Sequence, residues 1–125
     1  MSAKKILIID DSELVLAMAK DALEGAGYTV FTAANGIEAN SYIFSTHNRP
    51  DLIIMDIMMP LLDGNKKAKI LKQQPHSQDI PIMFISSKPE SELVTLVAEA
   101  GADGYICKPF SPQGIVSSVR AVLKG

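Results

Sequence analysis

Three aspartates, two serines and a lysine could carry out one reaction if the fold brought them together. Each comes directly after a short apolar run: Asp10 and Asp11, then Asp56, then Ser86 and Ser87, then Lys108. Neighbouring carboxylates repel one another, so the charged form of each is disfavoured unless a cation binds among them. Mg²⁺ prefers oxygen ligands, keeps several waters and takes few protein carboxylates. Phosphoryl transfer needs a positioned nucleophile, a metal and cationic or hydroxyl contacts to the phosphate, and this set supplies all of them.

The segments that must position these residues alternate between short apolar runs and longer amphipathic stretches, which is typical of an α/β fold. The runs predict strands over residues 5–9, 28–32, 52–55, 82–85 and 104–106. Three of them, at 6–9, 52–55 and 82–85, are apolar throughout rather than alternating. Such strands are buried on both faces, as in a parallel sheet covered by helices.

Helices are predicted between the strands, because apolar residues recur at helical spacing over 14–23 and 115–123. The boundary signals are Asp11 or Ser12 as a cap of the first helix, a turn at Asn35-Gly36, and Ser111-Pro112 at the start of the last helix. The predicted element order is βαβαβαβαβα.

Right-handed crossovers, with helices on both faces, favour a single doubly wound sheet for this order of elements. We therefore predict an α/β fold with a five-stranded parallel sheet, strand order 2-1-3-4-5, and five helices. The ligand crevice of such a sheet lies at the carboxyl ends of strands 1 and 3, where the winding direction reverses. The polar strand ends should meet there.

Composition limits the remaining possibilities. The chain of 125 residues has the common size of one domain, and we interpret residues 1–125 as a single unit. A net charge of −2 supplies no basic field for nucleic-acid phosphates, so no direct nucleic-acid binding is expected. No apolar run approaches the roughly 20 residues that span a bilayer, and no signal-peptide pattern precedes the first strand. The single cysteine, Cys107, agrees with a reducing compartment. We predict a cytoplasmic location without membrane contact.

Four motifs resemble those of response-regulator receiver domains, in the order and spacing of that family. They are Ile8-Ile9-Asp10-Asp11-Ser12, Ile54-Met55-Asp56-Ile57-Met58-Met59-Pro60, Ile85-Ser86-Ser87 and Lys108-Pro109-Phe110. The match covers essentially the whole chain, and the set in register is far more specific than any one motif. The resemblance implies a flavodoxin-like fold and a switch in two-component signalling.

The resemblance also implies roles for the acidic residues. Asp56 would be the carboxylate nucleophile that forms an acyl phosphate. Asp10 and Asp11 would bind Mg²⁺, or Mn²⁺ in its place, together with Asp56 and the backbone carbonyl of Met58. The donor would be the phosphohistidine of a sensor histidine kinase or a histidine phosphotransfer protein. The chain would assist its own phosphorylation and dephosphorylation rather than act as an enzyme, and would control a protein target or output domain that the sequence does not identify.

Three further residues complete the set that the resemblance implies. Lys108 would pair with the phosphate, and Ser86 would donate a hydrogen bond to one of its oxygens. Tyr105 would turn inward as Ser86 moves, so that the two form a switch with two states. The Lys108-Pro109 peptide bond would be cis.

Simpler structural explanations exist for each residue taken alone. Asp11 could only cap a helix, and Asp56 could only begin a turn. Ser86 or Ser87 could cap the helix near residues 90–100. The functional interpretation depends on the residues meeting at one edge of the sheet.

Three other functions are compatible with the predicted fold. A flavin-binding electron carrier would need a loop rich in hydroxyls and glycine after strand 1, where Asp10-Asp11-Ser12-Glu13 would instead repel a phosphate. An aspartate-nucleophile phosphohydrolase usually has a second acid two residues beyond its nucleophile, but those positions hold Ser12 and Met58. A degenerate receiver that serves only as an interaction module is disfavoured by the intact set of acids.

Overall fold

A computed structural model describes residues 3–58 and 64–123 of the chain. Five strands and five helices alternate along these residues: β1 (Lys5–Ile9), α1 (Glu13–Gly25), β2 (Thr29–Ala33), α2 (Gly36–Ile43), β3 (Leu52–Asp56), α3 (Gly64–Gln73), β4 (Ile82–Ser86), α4 (Glu90–Ala100), β5 (Gly104–Cys107) and α5 (Pro112–Leu123). The predicted element order is confirmed. Within the described ranges, no helix combines the length and the apolar character that a membrane crossing requires.

The five strands form one parallel sheet in the order β2-β1-β3-β4-β5. β1 pairs with β2 on one side and with β3 on the other, so that Ile8 lies opposite both Thr32 and Ile54. The chain therefore winds first in one direction and then in the other, and the reversal lies between β1 and β3. The predicted doubly wound fold is confirmed, and its crevice belongs at the carboxyl ends of these strands.

Both faces of the sheet bury apolar side chains under helices. Leu7 of β1 belongs to the core that contains Ile43 of α2, whereas Ile8 belongs to the core that contains Leu23 of α1 and Val119 of α5. Successive side chains of a strand point to opposite faces, so a run that is apolar throughout contributes to both cores. Complete burial of one such side chain stabilises the fold by about 1.5–3 kcal/mol.

Serine side chains begin the first and last helices. Ser12 Oγ accepts a hydrogen bond from Val15 N at 3.3 Å, and Ser111 Oγ accepts one from Gly114 N at 2.9 Å. Each bond satisfies an N–H group that has no partner inside its helix, which typically stabilises a protein by about 1 kcal/mol. The N-cap of α1 is Ser12, and Asp11 is therefore left for another role.

The sequence prediction is wrong in local details at α2 and β2. Asn35-Gly36 does not form a separate turn, because Asn35 Oδ1 accepts a hydrogen bond from Glu38 N at 2.9 Å and α2 begins at Gly36. β2 runs one residue later than predicted, because Tyr28 N donates to Leu23 O and still belongs to the turn after α1.

Candidate functional site

The carboxyl ends of four strands carry the residues that the sequence singled out. β3 ends on Asp56 and β4 on Ser86, one residue beyond each predicted strand. Asp10 follows β1, and its N–H donates to Ala33 O at 3.1 Å. Lys108 follows β5, and its N–H donates to Ser86 O at 2.8 Å. The backbone hydrogen bonds of the sheet therefore continue to these residues and hold them at one edge.

Asp10, Asp11 and Asp56 form what we call the acidic cluster. One carboxylate oxygen from each residue lies within 4.8 Å of those of the other two. Asp10 is completely buried and Asp56 is 5% exposed, whereas Asp11 is exposed to solvent. The acidic cluster thus has a buried floor and a side that water and ions can reach.

Lys108 contacts both buried carboxylates of the acidic cluster. Its Nζ lies 2.8 Å from Asp10 Oδ2 and 3.2 Å from Asp56 Oδ2. Since the lysine side chain is only 21% exposed, solvent screens these contacts less than it screens an ion pair on the surface. One ammonium group balances one of three carboxylates, so the acidic cluster keeps negative charge that favours a further cation.

The surroundings shift the pKa values of Asp56 and Lys108 in ways that follow from burial and charge. Burial raises the pKa of the Asp56 carboxyl, and the nearby Asp10 carboxylate adds to the rise, against the opposing effects of Met58 N–H and Lys108. Burial lowers the pKa of Lys108, but its contacts with Asp10 and Asp56 outweigh burial and the pKa is raised. The lysine therefore stays protonated. A bound cation would stabilise the ionised form of Asp56.

The oxygen atoms of the acidic cluster suit a hard divalent ion. Asp10 Oδ1 accepts a hydrogen bond from Ser12 N at 2.9 Å, and Asp56 Oδ1 accepts one from Met58 N at 2.8 Å. Within the described residues Asp10 Oδ2 has no well-directed hydrogen bond, because the Lys108 ammonium is close to it but poorly aligned. A buried carboxylate oxygen with spare acceptor capacity, beside two other carboxylates, is a donor set that fits Mg²⁺.

The two residues of the predicted switch lie on neighbouring strands. Ser86 is completely buried, and its Oγ accepts a hydrogen bond from Lys88 N at 3.0 Å. Tyr105 is half-buried in β5 and lies opposite Phe84 in the register. Loss of solvation and the nearby Glu90 carboxylate raise the pKa of its hydroxyl. A coupled movement of Ser86 and Tyr105 stays a prediction.

Helix capping does not explain the positions of Asp11, Ser86 and Ser87. Asp11 does not cap α1, and neither Ser86 nor Ser87 caps α4, whose N-cap position is Pro89 without a side-chain hydrogen bond. The Lys108-Pro109 peptide bond is cis, as the resemblance implied.

Sequence reasoning missed how the two buried carboxylates are oriented. Asp10 and Asp56 each accept a hydrogen bond from the backbone N–H two residues later, at Ser12 and Met58. The available signal was an aspartate at the start of a turn, since such side chains commonly bond the backbone two residues on. Asp56 thus does begin a turn, and this role accompanies its place in the acidic cluster. The Met58 carbonyl as a metal ligand stays a prediction.

Comparison with known sequences gives relatives that match along nearly the whole chain. The family model for the response regulator receiver domain matches residues 6–120. The chain is 40% identical over 121 residues to the alkaline phosphatase synthesis transcriptional regulatory protein PhoP of Bacillus subtilis, and 40% identical over 124 residues to the phosphate regulon transcriptional regulatory protein PhoB of Pseudomonas aeruginosa. These alignments cover 97% and 99% of this chain but 49% and 53% of the relatives. The chain spans about half the length of the curated relatives it matches.

Solved structures give the same relationship. The chemotaxis response regulator CheY4 of Vibrio cholerae is similar with a TM-score of 0.88 at 32% identity, over 98% of this chain and 100% of that one. The signal receiver domain of a signal transduction histidine kinase from Syntrophus aciditrophicus gives 0.84 at 36% identity, over 98% and 92%.

The parallel sheet, with an acidic cluster and a lysine at its topological switch point, defines a doubly wound α/β protein. Within that class, the chain belongs to the response regulator receiver domain family of two-component systems. Receiver domains are signalling domains rather than classical enzymes, and they bind Mg²⁺ at an acidic pocket. In this chain Asp10, Asp11 and Asp56 form an acidic cluster.

Proposed function

We propose that this chain accepts a phosphoryl group on Asp56 in a Mg²⁺-dependent reaction and then changes conformation to control a protein partner. The observation that carries the proposal is the meeting of three carboxylates and one lysine at the switch point of the sheet. The carboxylate oxygens lie within 4.8 Å of one another, and Lys108 Nζ is 3.2 Å from Asp56 Oδ2.

Among the three acids, Asp56 best combines access with a fixed position. Asp10 is completely buried, and Asp11 is exposed. Asp56 retains 5% exposure, is held at Oδ1 by Met58 N and has its Oδ2 beside Lys108. A nucleophile held in one orientation gains rate because less orientational freedom is lost on the way to the transition state.

The remaining groups would reduce the repulsion between a negatively charged phosphate and the carboxylates of the acidic cluster. Asp10 and Asp11, with Asp56, would hold Mg²⁺, which when bound supplies positive charge to neutralise carboxylate and phosphate oxygens. Lys108 would keep one contact with Asp10 and turn the other towards the incoming phosphoryl oxygens. Ser86 Oγ accepts a hydrogen bond from Lys88 N, which leaves the donor capacity of its hydroxyl unused by that bond, and the hydroxyl would donate to a phosphate oxygen.

A protein donor is favoured by the surface beside the acidic cluster. A pocket of about 280 Å³ between α1 and the turn after β5 is lined mainly by apolar groups of Val15, Met18, Pro109 and Phe110, and Lys108 also lines it. A donor seated there would reach Asp56 past that lysine. The proposed donor is the phosphohistidine of a sensor histidine kinase or histidine phosphotransfer protein. We also propose that residues 1–125 form one receiver unit that acts in the cytoplasm. Its downstream partner would be a protein target or output domain that is not identified.

Phosphorylation by small donors tests this function. The chain is incubated with acetyl phosphate or phosphoramidate, with Mg²⁺ or EDTA, and its intact mass is measured. We expect one phosphoryl group per chain with Mg²⁺, none with EDTA and none in Asp56→Asn. Asp79→Asn, which removes an exposed acid outside the acidic cluster, serves as the matched control and should be labelled like the wild type.

The alternative functions give different results in this assay, in a measurement of phosphate release or in a visible spectrum with FMN. Labelling that persists in Asp56→Asn would place the acceptor elsewhere. A wild-type chain that neither donor labels would favour a degenerate receiver, and continuous release of phosphate over many turnovers would favour a phosphohydrolase. A shifted visible spectrum of added FMN would favour a flavin carrier.

A further inference from the structure

Two exposed methionines lie near the site, Met58 next to the acidic cluster and Met18 next to Lys108. Met58 is 56% exposed and Met18 is 45% exposed, whereas Met55 and Met83 are 0% and 2% exposed within the sheet. Met58 N donates to Asp56 Oδ1 at 2.8 Å, so the Met58 side chain starts directly at the acidic cluster. Met18 lies on α1 and lines the pocket that Lys108 also lines. The described part of the chain thus offers two accessible thioethers near this site and two buried ones for comparison.

We propose that Met58 is an oxidation site for hydrogen peroxide and that the sulfoxide strengthens divalent cation binding at the acidic cluster. The oxidation of Met58 is inferred from the exposure of its side chain alone. The effect of the sulfoxide on cation binding rests on the proposed function, because it requires Mg²⁺ to bind at the acidic cluster.

The oxidation is a two-electron oxygen transfer. A lone pair of the Met58 sulfur attacks one oxygen of hydrogen peroxide, so that the S–O bond forms while the O–O bond breaks. Sulfur is oxidised by two electrons and the peroxide is reduced. The proton on the transferred oxygen moves to the leaving oxygen, which departs as water. The product is methionine sulfoxide, a polar group that methionine sulfoxide reductases can return to the thioether.

The change of ligand chemistry explains the expected effect on the metal. A thioether is a soft ligand that offers little to a hard ion such as Mg²⁺. A sulfoxide presents a polar oxygen, which is the donor type that Mg²⁺ takes. Next to a cluster with surplus negative charge, such an oxygen would add one donor for a bound divalent ion. Met18, which lies beside Lys108 rather than beside the carboxylates, should have no such effect.

The first experiment measures oxidation residue by residue. The folded chain is exposed to a low concentration of hydrogen peroxide, and the oxidised fraction of each methionine is followed over time by tandem mass spectrometry, because Met55 and Met58 share one tryptic peptide and only its fragments separate them. Met58 and Met18 should oxidise on the order of tenfold or more faster than Met55 and Met83, because buried sites must wait for the fold to open. Equal rates for Met58 and Met83 would overturn the assignment of an oxidation site.

The second experiment measures the Mg²⁺ concentration that gives half of the maximal thermal stabilisation, before and after peroxide. The wild type and Met18→Leu should both show a several-fold lower midpoint after oxidation, and Met58→Leu should show no change on treatment. If the Mg²⁺ midpoint of the wild type does not fall although Met58 is oxidised, the proposed effect of the sulfoxide on cation binding is wrong. A chain that Mg²⁺ does not stabilise even before oxidation overturns the proposed function as well, so the two failures can be told apart.

Discussion

Replacing Lys108 with Gln removes the positive charge that two buried carboxylates share. Removal of one partner from a fully buried ion pair costs about 3–5 kcal/mol, because the other charge is left uncompensated. The Asp10 side chain is 0% exposed and that of Asp56 is 7% exposed, but the lysine itself is 21% exposed. Water can therefore replace part of the lost interaction. We expect the free energy of unfolding without metal to fall by about 2–4 kcal/mol.

Thermal unfolding followed by circular dichroism measures this loss. For a domain of this size, about 2–4 kcal/mol corresponds to a lower Tm on the order of 10 °C. Saturating Mg²⁺ should restore much of the loss, because the ion places positive charge among the same carboxylates. Lys88→Gln is the matched control, since Lys88 pairs with Glu92 at 3.5 Å with side chains that are 33% and 57% exposed, and pairs at the surface contribute at most about 1 kcal/mol.

Two outcomes would refute this reasoning. If Lys108→Gln and Lys88→Gln lowered the Tm equally, Lys108 would not balance buried charge. If the loss in Lys108→Gln were the same with Mg²⁺ and with EDTA, the ion would not act at the carboxylates that the lysine contacts.

Three further perturbations test other parts of the structure. Asp56→Asn should raise the Tm without metal at neutral pH, because the raised pKa of Asp56 means that its ionised form costs stability there. The gain should fade as the pH falls through the raised pKa towards 3.8, the ordinary value, and a gain that does not depend on pH would contradict the assignment. Gly114→Ala should not yield the usual helix-propensity gain of about 1 kcal/mol, because its Cβ would lie 2.9 Å from Ser111 Oγ and disturb the cap of α5; urea unfolding that shows the full gain would be the contrary result. Asp103→Ala should lower the free energy of urea unfolding by about 1–3 kcal/mol, since Asp103 Oδ2 accepts from Ile82 N at 2.8 Å at the start of β4, and an unchanged midpoint would show that water replaces it.

The strands and their order could be predicted because their physical cause is local. Runs such as 52–55 are apolar at every position, which is typical of strands buried on both faces, and the helices between them favour parallel crossovers. The polar residue after each run then had to lie at the carboxyl edge. Asp10, Asp56 and Lys108 meet there in the structure as this reasoning required.

Finer features depend on contacts that a local pattern does not encode. Asn35-Gly36 was predicted to form a turn, because Asn-Gly sequences favour turns. In the structure Asn35 accepts a hydrogen bond from Glu38 N and caps a helix instead. Asp10 and Asp11 are adjacent and chemically identical, yet one is completely buried and the other exposed. The closer approach of Lys108 to Asp10 than to Asp56 depends on the path of the turn after β5, which is set by packing between distant segments.

The central claim is that distant acidic residues create one binding site for a divalent cation. The most direct measurement is the Tm of the wild type and of Asp11→Asn across a Mg²⁺ titration at constant ionic strength. Asp11 is the best residue to change, since its exposed side chain has little part in the core. A ligand that binds only the folded state adds about 2.7 kcal/mol of stability at one hundred times its Kd, so the wild type should gain on the order of 10 °C. Asp11→Asn should need a much higher Mg²⁺ concentration for the same gain. A wild-type Tm that does not respond to Mg²⁺, or an identical response from Asp11→Asn, would contradict the account.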